Sequence, residues 1–90
     1  MENLEIIVSG RVQGVGYRFF VSRIANVHKI TGCVKNLDNG KVKITATADN
    51  ENMASFIAEL RKGPSFAKVT NMKISEITVT KNYKTFTIEY

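Results

Sequence analysis

Ninety residues allow one compact domain (1–90) and leave no room for a second, and the 43% hydrophobic and 23% charged shares are those of a globular chain rather than a disordered one. No apolar run nears the roughly 20 residues of a membrane span, and Met1-Glu2-Asn3-Leu4-Glu5 lacks the parts of a secretory leader, so a cytosolic setting is expected. The formal net charge of +5 points to an anionic partner, a nucleic acid or a phosphorylated small molecule, while one cysteine (Cys33) and one histidine (His28) exclude a disulfide framework and a His/Cys metal cluster.

Leu4-Glu5-Ile6-Ile7-Val8-Ser9 is short and β-branched, which predicts a strand. It runs into Gly10-Arg11-Val12-Gln13-Gly14-Val15-Gly16-Tyr17, a glycine-rich loop. Phe20, Ile24 and Val27 then fall at i, i+4 and i+7 with Ala25 alongside, the spacing of a helix with one buried face, and Gly32 is expected to break it after Ile30. Two strands follow over residues 32–37 and 41–48. Asp38-Asn39-Gly40 joins them as a hairpin turn in which Asn39 and Gly40 both accept positive φ. Val42, Ile44, Ala46 and Ala48 alternate with Lys43, Thr45 and Thr47, so one face is buried.

Asp49 or Asn50 can cap a second helix, where Met53, Phe56, Ile57 and Leu60 repeat at helical spacing and Gly63-Pro64 ends the run. A longer strand is predicted over residues 69–80. Met72 and Ile74 keep period two there, and Ile77 and Val79 restart out of phase, which predicts a bulge or bend near Ser75-Glu76. Asn82 and Tyr83 mark the last turn, before a final strand over residues 85–90. The order β-α-β-β-α-β with an added C-terminal strand predicts an α+β, ferredoxin-like sandwich. In it two helices pack on one face of a mainly antiparallel sheet, joined by right-handed crossovers. Enzymes, RNA binders and metal carriers all use that fold, so function has to come from the site.

The loop after the first strand leads into a helix, and such turns aim backbone N–H groups at one point where the helix end adds positive charge. Arg18 sits at that helix start, so its guanidinium can grip phosphate oxygens in a bidentate fork. The glycine spacing fits neither a dinucleotide nor a nucleoside-triphosphate fingerprint. From these residues alone, a phosphate cradle and a plain tight turn both stand. Asn36 ends a β-like segment, where asparagine is depleted. Its carboxamide can hold a water, or it can simply open the hairpin turn. His28 lies late in the first helix, where a cationic side chain suits the helix end, and Cys33 reads as a small buried apolar residue. Gly16-Tyr17-Arg18-Phe19-Phe20-Val21 is only superficially like an RNA-recognition signature, because it lies at a loop–helix junction rather than in a central strand.

Ser9-Gly10-Arg11-Val12-Gln13-Gly14-Val15-Gly16-Tyr17-Arg18 resembles the first signature of the acylphosphatase family, and Gly32-Cys33-Val34-Lys35-Asn36 resembles the second. Leu60-Arg61-Lys62-Gly63-Pro64 and Phe86-Thr87-Ile88-Glu89-Tyr90 are also similar, so the likeness covers essentially the whole chain. The chain departs from the pattern at Cys33, where an aromatic residue is usual, at Asn39-Gly40, where Asp-Gly is common, and at Ala48, where a glycine often stands. The resemblance implies hydrolysis of an acyl phosphate to a carboxylate and inorganic phosphate. It implies that the backbone N–H groups of Gln13, Gly14, Val15, Gly16 and Tyr17 and the guanidinium of Arg18 hold the phosphoryl group, with Asn36 positioning the water. No metal or other cofactor, no specific nucleic acid and no membrane partner are implied, and a cytosolic monomer is expected.

Overall fold

The computed structural model describes residues 1–78 and 81–90. The elements are β1 (Glu2–Arg11), α1 (Tyr17–Val27), β2 (Thr31–Asn36), β3 (Val42–Ala48), α2 (Asn50–Lys62), β4 (Lys68–Glu76) and β5 (Phe86–Glu89). They form a five-stranded sheet in the order β4-β1-β3-β2-β5, the ferredoxin-like arrangement with one strand added at an edge. β1 pairs antiparallel with β3 and β4, and β2 antiparallel with β3, while β5 runs parallel to β2, from Gly32 opposite Phe86 to Lys35 opposite Glu89.

Alternation decides which sheet face is dry. Leu4, Ile6 and Val8 of β1 and Val42, Ile44, Ala46 and Ala48 of β3 point to one side, where the apolar stripes of both helices meet them. α1 lies over β2 and β5, and α2 over β3 and β4. Met53, Phe56 and Leu60 of α2 are fully buried, each contributing about 1.5–3 kcal/mol by leaving water. Asp49 is the residue that caps α2, accepting the Asn52 N–H at 2.7 Å, and Gly63 ends it at φ 65.

The stripe on α1 differs from the expected one. It consists of Tyr17, Phe20, Val21, Ile24 and Ala25, and Val27 is 68% exposed. The helix stops there, ahead of Gly32, because Lys29 takes φ 57 and reverses the chain. Ile30 N–H reaches back to Ala25 O at 2.8 Å and Lys29 N–H to Asn26 O at 3.4 Å, the paired bonds of a Schellman ending. Ile30 thereby returns to the core.

Two turn and strand details also differ. In the hairpin, Gly40 alone has positive φ, at 88°, and Asn39 does not. Leu37 N–H bonds to Lys41 O at 2.8 Å and Gly40 N–H to Leu37 O at 3.2 Å, so the loop has three residues and needs only one left-handed position. In β4 the pairing with β1 is regular up to Glu76, so of the bulge or bend expected near Ser75-Glu76 there is no bulge, and the strand ends there. The irregularity lies at the other end: Ser9 faces Asn71 and Gly10 faces Val69, leaving Thr70 out of register. Ile77 N–H donates to Asn3 O at 3.0 Å. The expected continuation through Val79 and Thr80 falls outside the described residues. Among the described residues, no helix is long and apolar enough to cross a membrane.

Candidate active site

The loop between β1 and α1 is stretched between two anchors in the core. Val12 is buried at one end, and at the other Tyr17 is buried with its hydroxyl donating to Leu60 O at 3.1 Å. Burial raises the Tyr17 phenol far above its usual pKa, so it stays neutral. Between the anchors, the Gln13 side-chain amide donates to Leu37 O at 2.7 Å and to Lys41 O at 2.8 Å. One carboxamide nitrogen with two hydrogens thus holds both sides of the β2–β3 hairpin mouth and draws the hairpin against the loop.

Gly14 and Gly16 sit at φ 72 and 77, where a side chain would be strained. Gly16 is the N-cap of α1 and offers no side-chain acceptor, and the first helical bond is Phe20 N–H to Gly16 O at 3.1 Å. The amides of Tyr17, Arg18 and Phe19 therefore have no partner within the helix, and no acidic residue occupies its first turn. That leaves the positive end of α1 uncompensated at the loop.

Gly14, Gly16, Arg18 and Asn36 line one open cavity of about 190 Å³, whose apolar side is made by Val12, Phe19, Ile88 and Tyr90. The Arg18 guanidinium is held at its back: Nη1 donates to Glu89 O at 2.8 Å, and the group stacks over the Tyr90 ring, 4.7 Å from its centre. These contacts leave most of its N–H donors unused. It is the only charged side chain in the lining among the described residues. Asn36 ends β2 opposite Val42, and its Oδ1 is buried with no hydrogen-bond partner among the described residues. A buried acceptor left open costs about 1–3 kcal/mol.

A sequence model of the acylphosphatase family matches residues 4–88. The chain belongs to the acylphosphatase family. It is 44% identical to the acylphosphatase of Bacillus velezensis over 90 residues, covering 100% of both chains. It is 43% identical to that of Thermotoga maritima, covering 100% of this chain and 99% of the other. The crystal structure of the acylphosphatase from Bacillus subtilis is similar with a TM-score of 0.94 and 40% identity, covering 100% of each chain.

Of the residues that the family resemblance singled out, Gly14, Gly16, Arg18 and Asn36 come together at the cavity. The side chains of Gln13, Val15 and Tyr17 go elsewhere: Gln13 to the hairpin carbonyls, Tyr17 into the core and Val15 against it. Sequence reasoning assigned no role to Glu89 or Tyr90, which hold Arg18, or to the rim position of Phe19. A main-chain carbonyl has no sequence signature, and only the parallel pairing of β5 with β2 brings the chain's last residues to this acylphosphatase loop. His28 is bonded to Glu59 of α2, and Cys33 is buried outside the main core with its Sγ 3.2 Å from the Tyr83 hydroxyl.

Proposed function

We propose that residues 1–90 act as one catalytic unit that hydrolyses the carboxyl–phosphate anhydride of an acyl phosphate, yielding a carboxylate and inorganic phosphate without a metal ion. The observation that carries this reading is that Asn36, whose buried Oδ1 has no hydrogen-bond partner among the described residues, lines the same cavity as Arg18, the only charged side chain among its described lining residues. The loop amides and Arg18 hold the phosphoryl oxygens. Asn36 Oδ1 accepts one hydrogen of a water and turns its lone pair toward phosphorus. The new P–O bond forms as the bond to the acyl oxygen breaks, and the electron pair leaves on the carboxylate. The water's proton passes to a phosphate oxygen, so no protein base is required, and a weakly basic carboxylate needs no general acid. Phosphoryl transfer depends mainly on positioning and charge stabilisation, which this small set of groups supplies.

The same reading makes the protein a cytosolic monomer acting on a small molecule, with no nucleic-acid or membrane partner. Phosphate release from acetyl phosphate by the purified protein in EDTA tests it, with Arg18→Lys alongside. Lysine's point charge cannot reproduce the two-pronged grip. The expected result is metal-free turnover that falls at least ~10²-fold in the variant, as when one oriented donor is removed, with weaker inhibition by phosphate. Turnover that requires magnesium, or a variant with native rate and native phosphate inhibition, rejects the reading.

A further inference from the structure

Three aromatic side chains that a fold of this size would ordinarily bury stand in solvent at the mouth of the cavity. Phe19 is 70% exposed, Phe66 55% and Tyr90 99%. Single exposed aromatics are ordinary; three from separate parts of the chain at one opening are not. Phe19 comes from the first turn of α1 and lines the cavity beside Arg18. Phe66 comes from the segment after α2, and its Cε2 lies 3.7 Å from where a Cβ on Gly16 would sit. Tyr90 follows β5 and stacks on the guanidinium. Beneath them, Val12 and Ile88 give the cavity an apolar flank, and Arg18 is the one charged side chain among the described lining residues.

Resting on the hydrolysis proposed above, we infer that the physiological substrate carries an uncharged, apolar acyl group, flat or branched, that packs on Phe19 and Phe66 while its phosphate occupies the cradle. The two halves of the substrate meet two kinds of surface. The dianionic end meets backbone amides and a guanidinium. The acyl end meets aromatic faces, and among the described lining residues no second charged side chain is placed to receive a further carboxylate or ammonium group. A methyl group, as in acetyl phosphate, is too short to cover either ring. An aromatic acyl group covers Phe19 and removes both surfaces from water.

The experiment measures kcat/KM for benzoyl phosphate and acetyl phosphate with the native protein, Phe19→Ala and Phe66→Ala. Benzoate is the better leaving group, so the native preference alone would mislead; the change in the ratio on mutation cancels that chemical difference. Phe19→Ala should cut the benzoyl-to-acetyl ratio about tenfold, chiefly through KM, the factor expected from losing roughly half an aromatic face. Phe66→Ala should cut it about threefold on the same reasoning. Inhibition by inorganic phosphate, which has no acyl group, should stay within about twofold in both, which separates lost acyl contact from damage to the cradle. Ratios unchanged in both variants, or equal losses on both substrates, overturn the inference and leave the hydrolase reading standing. A native protein that hydrolyses neither substrate overturns both.

Discussion

Asn36 contributes to the proposed reaction only while the water is being turned toward phosphorus, because Arg18 and the loop amides already hold the anion. An interaction made only in the transition state lowers kcat and leaves ground-state binding alone. Asn36→Ala should therefore lose turnover by ~10² or more while the inhibition constant for phosphate changes little. Asn36→Asp keeps the size but sets a negative charge beside an anionic substrate, so it should bind phosphate worse and also fail to turn over. An alanine variant with weakened phosphate affinity and an intact rate constant would make Asn36 a binding group or a turn former. At this scale the sequence was informative about side chains and silent about main chain. Arg18 and Asn36 stand within recognisable signatures, whereas the Glu89 carbonyl that holds Arg18 could belong to any residue type.

Elements meet at the site through Gln13. Its amide bonds to Leu37 O and Lys41 O link the β1–α1 loop to the hairpin that carries Asn36. Gln13→Ala should loosen that join and cost about 0.5–1.5 kcal/mol for each lost hydrogen bond. Gln13→Glu tests the join more sharply, since a carboxylate cannot donate and would face two carbonyl oxygens. Both should lower kcat by displacing Asn36, with circular dichroism close to native. Native kcat in Gln13→Glu would mean that the strands alone set the distance. The second helix was legible from its apolar spacing, its Asp49 cap and its Gly63-Pro64 stop, because every signal lay within the helix or next to it. The end of the first was not: its reversal falls on Lys29, a residue with no turn signature, so Val27 was counted into a stripe that had already ended. The bulge at Thr70 was equally hidden, since it depends on how β4 meets Gly10, about sixty residues away in sequence.

Across the whole molecule, the Tyr17 hydroxyl ties the start of α1 to the end of α2 through Leu60 O. Its burial raises the phenol pKa, so the folded state keeps it neutral where an unfolded chain would ionise it. The stabilisation is therefore complete below about pH 10 and declines above it, by up to ~1.4 kcal/mol per pH unit. Tyr17→Phe should be about 1 kcal/mol less stable at neutral pH and lose less than the native protein as the pH rises further. Urea unfolding from about pH 8 to pH 11 should show the two stability curves converging; parallel curves would mean that Tyr17 is not the group responsible.

The sheet has a rim at β4, whose outer N–H and C=O groups face no sixth strand among the described residues. Such a rim invites a like strand from another molecule. Thr70, out of register with β1, disturbs that rim, and Lys68 and Lys73 place cations along it. Two copies brought rim to rim would have to bury like charges on a strand that does not lie flat. The protection has a shelf-life consequence: Lys73→Val should turn cloudy sooner when a concentrated solution is held warm, as followed by light scattering, with turnover unchanged at the start. A variant that stays clear as long as the native protein would show that the misaligned Thr70 alone keeps the molecules apart.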